Sequence, residues 1–216
     1  MEFIYIQILV GRATLTILSK KKNKRSVDIL SKLRYFLNTK TFLSLYYTLV
    51  EPFFHYCVIA WGNAYQSTLQ PLFHLQKKAI RIITFSSFTE HSSPLFKGLN
   101  VLKLSDIIAL QLAVFMYKFH NQLLPSVFDT FLNPVGNIHC YNTRLSSRMT
   151  YAIPKARTNY GILNIRFQGV NVWNDISDDI KLLPLKRFKN KLKSLLIDKY
   201  YLQIYQQYIF FWLSVA

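Results

Sequence analysis

Asp178 and Asp179, flanked by Ile176 and Ile180, come nearest to a catalytic pattern in this chain. Polymerase palms hold two metal ions on paired carboxylates, because the attacking and leaving oxygens of phosphoryl transfer both carry charge. The usual signature places an aromatic residue two positions before the Asp pair; here Ile176 stands there, with Ser177 between. No upstream strand with a third Asp accompanies the pair, since Asp106 opens a helix. Complementing a helix dipole is the expected role of Asp178 and Asp179. Metal ligation has little more support. His55-Tyr56-Cys57 and His139-Cys140 hold four ligand-type side chains, but adjacent His and Cys chelate one ion poorly. There is no G-x-S-x-G elbow, no C-x-x-C and no phosphate-cradling loop among the six glycines. The expectation is therefore no catalytic residue, no metal, no cofactor and no small-molecule substrate.

Charge carries more information. Lys and Arg number 27 against 10 acids, a formal net charge of +17 and a pI near 9.9. Such an excess attracts polyanions, either nucleic acid or an anionic membrane surface. Three sets of cations stand out. Lys77, Lys78 and Arg81 fall on the polar side of a helix, and no acid lies between Glu51 and Glu90 to pair with them. Arg144, Arg148, Arg157 and Arg166 lie in an acid-free stretch from Asp129 to Asp175, interleaved with Tyr141, Tyr151, Tyr160 and Phe167. Arginine neutralises phosphate and aromatic rings stack on unpaired bases, so segment 137–170 reads either as a nucleic-acid contact or as a loop packed by its own aromatics. Lys186, Lys189 and Lys193 share the exposed face of the last clear helix.

The elements that must position these groups are mostly helical. Few glycines and prolines and 16% aromatic residues disfavour a sandwich of short strands. An amphipathic helix begins at Ser26, with Val27, Ile29, Leu30, Leu33, Phe36 and Leu37 apolar and Lys32 and Arg34 projecting away. Asn38-Thr39 ends it and caps the next. Thr41 to Asn63 is the apolar hub: Phe42, Leu45, Tyr46, Leu49 and Phe53 recur at helical spacing until Pro52 interrupts, and Phe53 to Trp61 forms a second buried piece closed by Gly62-Asn63. A helix over about Thr68 to Ile83 buries Leu72, Leu75, Ala79, Ile80 and Ile83. Ser86 to Asn100 reads as a loop, Ser105 as the N-cap of a helix from Ile107 to His120 that is apolar nearly all round. Alternation over Ile162 to Phe167 suggests a short strand and turn, and Trp173 begins a compact helical stretch. A final helix, about Leu183 to Tyr200, buries Leu185, Phe188, Leu192, Leu195 and Leu196. The fold class is thus mainly α: a helical bundle with a small β hairpin or strand pair in its C-terminal third. Residues 1–25 form an extension with a basic run, 26–135 the helical core, 136–200 a basic aromatic-rich module and 201–216 an aromatic tail.

Two distant cysteines, Cys57 and Cys140, argue against a disulfide-stapled secreted domain and for an intracellular site, nuclear or cytoplasmic. Glu2 precedes the short apolar run Phe3 to Val10, where a signal peptide needs positive charge. No apolar run approaches the length of a membrane span.

Taken in order, LRYFLNTKTFLSLYYTLVEPFFHYCVIAWGN, LQKKAIRII, SPLFKGLNVLKLSDI, MYKFHNQLLP, YNTR and RTNYG…IRFQGVNVWNDI…FKNKLK resemble the region downstream of the palm in reverse transcriptases of LINE-type, non-LTR retrotransposons. The resemblance covers roughly residues 26 to 199. It implies a thumb-like helical unit that grips template RNA and primer duplex through phosphate contacts in a family of RNA-directed DNA polymerases. Fingers, palm and endonuclease are not in this chain, so the expectation is a truncated, non-catalytic element that retains the RNA- or DNA-gripping part. The alternative is a basic helical interaction or membrane-surface protein that uses its C-terminal amphipathic helix and tail.

Overall fold

Leu104–His120 is apolar on nearly every side, so it is stable in water only when other elements surround it. In the computed structural model, which describes residues 23–137 and 149–215, this helix is the axis of the molecule. Ten of its residues, from Leu104 to Tyr117, are buried. Each large apolar side chain removed from water contributes about 1.5–3 kcal/mol before its ordering cost.

In chain order the helices are α1 (Asn23–Leu33), α2 (Thr39–Leu49), α3 (Glu51–His55), α4 (Val58–Trp61), α5 (Gln66–Ile83), α6 (Ser92–Gly98), α7 (Leu104–His120), α8 (Asn159–Ile162), α9 (Ile165–Asn174), α10 (Asp178–Lys181) and α11 (Leu185–Val215). The axis α7 is covered by α3, α4 and α5 on one side and by α9 and α11 on the other, while α1 and α2 close over α5. The mainly helical reading therefore holds.

Local chemistry explains the breaks. The Asn38 side chain accepts the Thr41 N–H at 2.9 Å and starts α2. The helix stops at Leu49 because Pro52 has no N–H to continue the ladder, and Pro52 instead serves the first turn of α3. Cys57, in the left-handed region at φ 49°, turns the chain into α4. Three longer reversals share one device. After α5, α6 and α7 the residues Phe85, Asn100 and Gln122 are left-handed, at φ 57°, 55° and 55°. In each case the following N–H returns to a carbonyl of the last turn: Ser86 to Arg81 at 3.1 Å, Val101 to Phe96 at 2.9 Å and Leu123 to Lys118 at 2.8 Å. Asn tolerates this conformation, whereas a bulky residue such as Phe85 occupies it at a cost of roughly 1–2 kcal/mol.

Close approach to the axis rests on glycine at two points. A Cβ at Gly169 on α9 would lie 3.1 Å from Met116 Sδ, and one at Gly62 would lie 2.6 Å from the Val58 carbonyl and 3.0 Å from Ile108.

Several expectations are corrected. Ile162 to Phe167 is not a strand: α8 ends and α9 begins there, with Asn164 capping through its bond to Arg166 N at 2.9 Å. Its alternation was the coincidence of two helix ends. Among the described residues the only strand-like pairing is an isolated antiparallel bridge between Pro134 and Tyr151, so no hairpin or strand pair is present there. The axis helix starts at Leu104 with Lys103 at its cap, not at Ser105. The presumed loop 86–100 contains α6. Trp173 lies near the end of α9 rather than at a helix start. Among the described residues the first helix spans Asn23–Leu33, which leaves Phe36 outside it and exposed.

Candidate nucleic-acid interface

The three cationic sets sit in three different environments. On α5, all three side chains are half-buried and engaged within the fold. Lys77 Nζ lies 4.2 Å from the centroid of the Phe73 ring. Lys78 Nζ meets Asp28 Oδ1 of α1 at 3.4 Å. Arg81 donates twice to the Glu90 carbonyl, at 3.1 and 2.8 Å, which ties the α5–α6 connection to its parent helix. Lys77 and Arg81 are one turn apart, while Lys78 is rotated by about 100° toward α1. The three do not form a single free face, because α1 packs against the side that Lys78 occupies.

The second set is divided. Arg144 and Arg148, with Tyr141, lie outside the described residues. Arg157 is exposed, and Arg166 is exposed with its guanidinium 4.5 Å from the Phe131 ring centroid. Of the aromatics expected to offer stacking faces, Tyr151 is buried in the core, where its hydroxyl meets His120 Nδ1 at 2.9 Å. Burial pushes its phenol up to about 12. Tyr160 is exposed and rests edge-on against Tyr65, centroids 6.1 Å apart.

The third set is the most open. Lys186 and Lys189 are exposed and Lys193 is partly so, on one row of α11 at i, i+3, i+7. Arg187 and Lys191, exposed on the adjoining row, belong with them and were readable from the same charge run. Inward, α11 buries Phe188, Leu192, Ile197 and Tyr200, whereas Leu195 is exposed and Leu196 half-buried. The buried register thus shifts toward Tyr200, whose hydroxyl is anchored in the core.

That anchor is a buried polar cluster. Tyr200 donates to Asp106 on the first turn of α7 and accepts the Lys103 N–H at 2.9 Å. Lys103 Nζ lies 4.2 Å from the Tyr200 ring centroid and 3.1 Å from Ser93 Oγ. Burial raises Asp106, lowers Lys103 and raises Tyr200. These groups satisfy one another and clamp α11 to α7.

The remaining candidate groups make contacts within the fold. Asp178 and Asp179 open α10, and Asp178 pairs with the buried Lys181 at 2.9 Å. A pair on a helix start, one member of it neutralised by lysine, does not offer the facing carboxylates of a two-metal site. His55 uses both ring nitrogens, toward Glu51 at 3.3 Å and Gln111 at 3.1 Å. Among the described residues no group of three or more His, Cys, Asp or Glu is placed to hold a metal, and no helix is long and apolar enough to cross a membrane. An open groove of about 690 Å³ between α7, α9 and α11 is lined mainly by apolar side chains such as Ala113, Val172, Ile176 and Leu192, with Asp175, Ser177, Asp198 and Lys199 also on its wall.

No protein-family model, curated protein or solved structure matches the chain.

Proposed function

We propose that this chain is a nucleic-acid-binding helical unit, similar to the post-palm thumb region of LINE-type reverse transcriptases, and that it works by gripping phosphates rather than by catalysis. One observation carries the proposal. Lys186, Arg187, Lys189, Lys191 and Lys193 project from the first part of α11, and no acid lies between Asp179 and Asp198. No ion pair joins any of the five among the described residues. Like charges at helical i, i+4 spacing repel by a few tenths of a kcal/mol per pair, so such a row lowers its energy when a polyanion lies along it. Arg157 and Arg166 are two further exposed cations in the C-terminal part of the chain, and the ordered motifs from residue 26 to 199 supply the family reading.

The test is equilibrium binding of the full chain to short labelled RNA and DNA over a range of salt. Each neutralised phosphate contributes a slope of about −0.9 in log K against log salt on duplex DNA. Replacing Lys186, Lys189 and Lys193 by Gln should lower affinity for all sequences alike and flatten that slope by about two to three. Absent or salt-insensitive binding overturns the proposal.

A further inference from the structure

We infer that the turn after α1 and the connection after α5 together form a stacking platform for unpaired nucleotides of a single-stranded RNA or DNA. Four aromatic side chains stand in solvent on these two short connections: Tyr35 (87% exposed), Phe36 (80%), Phe88 (71%) and Phe85 (47%). Arg34 joins the two connections. It donates to the Ser86 carbonyl at 3.3 Å and holds its guanidinium 5.6 Å from the centroid of the Phe85 ring. Phe85 is positioned from below by an edge contact with Phe42, centroids 6.1 Å apart. Its left-handed backbone is one that glycine adopts without strain, yet a large ring is kept there with about half its surface in water.

The flanking charge selects the occupant. Lys32 and Lys40 are exposed beside Tyr35 and Phe36, and Arg34 and Arg81 border the second connection. Of the nearby acids, Asp28 is already paired with Lys78, which leaves Glu90 as the acid on the second connection. Aromatic faces with cations around them suit a strand whose bases are free to stack and whose phosphates need neutralising. A duplex hides its base faces and would gain only the cations. The platform is formed by residues of the N-terminal half, apart in sequence from the lysine row of α11.

This inference rests on the nucleic-acid reading above, and one experiment separates their failures. The full chain and the variants Tyr35→Ala, Phe88→Ala and Phe85→Gly are titrated with an unstructured single strand and with a duplex of equal length, across salt. Tyr35 and Phe88 stand mostly in solvent and outside the core, so their loss leaves it intact; Phe85→Gly suits the left-handed backbone. Each variant should bind the single strand about 5-fold or more weaker, with the salt slope and the duplex affinity unchanged. Unchanged single-strand affinity, or equal weakening for strand and duplex, overturns the platform while leaving phosphate gripping in place. If the variants instead abolish self-association or vesicle binding and leave single-strand affinity alone, the aromatics serve a second copy or a lipid surface and the platform is likewise overturned. If the unaltered chain binds neither nucleic acid, both readings fall together.

Discussion

The Tyr200 hydroxyl reaches Asp106, 94 residues earlier in the chain, and so fastens the last helix to the first turn of the central one. Removing the hydroxyl with Tyr200→Phe leaves the Asp106 carboxyl without its donor and the Lys103 N–H without its acceptor. An unsatisfied buried polar group costs about 1–3 kcal/mol. Urea unfolding should show a loss in that range with little change in slope, since the exposed surface of the unfolded chain is the same. The Asp106 carboxyl should also titrate higher still, because the Tyr200 hydrogen bond opposes the upward push of burial.

His120 makes stability depend on mild acid. Burial and then the Lys181 charge hold its imidazole below the usual value, and the neutral ring bonds the Tyr151 hydroxyl. Below the unfolded value of about 6.5 the unfolded chain takes up a proton before the folded one does. Stability from this group is therefore full above that value and is lost as pH falls through the window beneath it. Asp106, raised in the fold, has the opposite sign: its contribution falls as pH rises from the ordinary carboxylate value toward its own. Melting His120→Gln beside the parent chain at a series of pH values should show the acid-side loss removed.

Gln76 is fully buried and connects three parts of the core. Its amide donates to the Tyr46 hydroxyl at 3.1 Å and to the Leu102 carbonyl at 2.9 Å, and its oxygen accepts the Leu104 N–H at 2.8 Å. Gln76→Leu preserves volume but strands all three partners, at about 2–4 kcal/mol. A drop in thermal midpoint smaller than that seen for an exposed Gln66→Leu control would contradict this account.

The two tight glycines should behave differently. At Gly62 an added methyl meets backbone as well as Ile108, which cannot move without disturbing α4 or α7, and Gly62→Ala should cost about 1–3 kcal/mol. At Gly169 the neighbour is the end of a flexible Met116 side chain, and Ala gains up to about 1 kcal/mol of helix propensity. Chemical denaturation of Gly169→Ala should thus show a change close to zero.

What the sequence displays depends on how local the cause is. The apolar stripe of α5, the Asn38 cap and the break at Pro52 arise within a few residues, and all are readable. So is the encirclement of α7, because a helix apolar on nearly every side has no other stable setting in water. The helix at 92–98 was hidden by its short length and by Pro94, which reads as a loop former yet is tolerated in a first turn. The strand expected over Ile162 to Phe167 failed because a run of six residues cannot distinguish alternation from the junction of two helices. The cationic sets were visible as charges, but whether a charge is free is a tertiary property. Asp28 approaches Lys78, and the Glu90 carbonyl approaches Arg81, only through folding. Exposure of Phe36 was illegible for the same reason: it depended on α1 ending at Leu33.

The axial helix also sets a timetable for synthesis. Elements that precede α7 cover only one of its sides; Gly169, which lies against Met116, and Phe188, whose ring centroid lies 4.6 Å from that of Tyr117, are translated long after it. At about 5–20 residues per second the interval between His120 and Tyr200 lasts roughly 4–16 s on the ribosome. During that interval the central helix, apolar on nearly every side, is bare along one flank. The yield of folded protein should therefore respond to elongation rate and to chaperone supply, through the delayed arrival of the C-terminal helices.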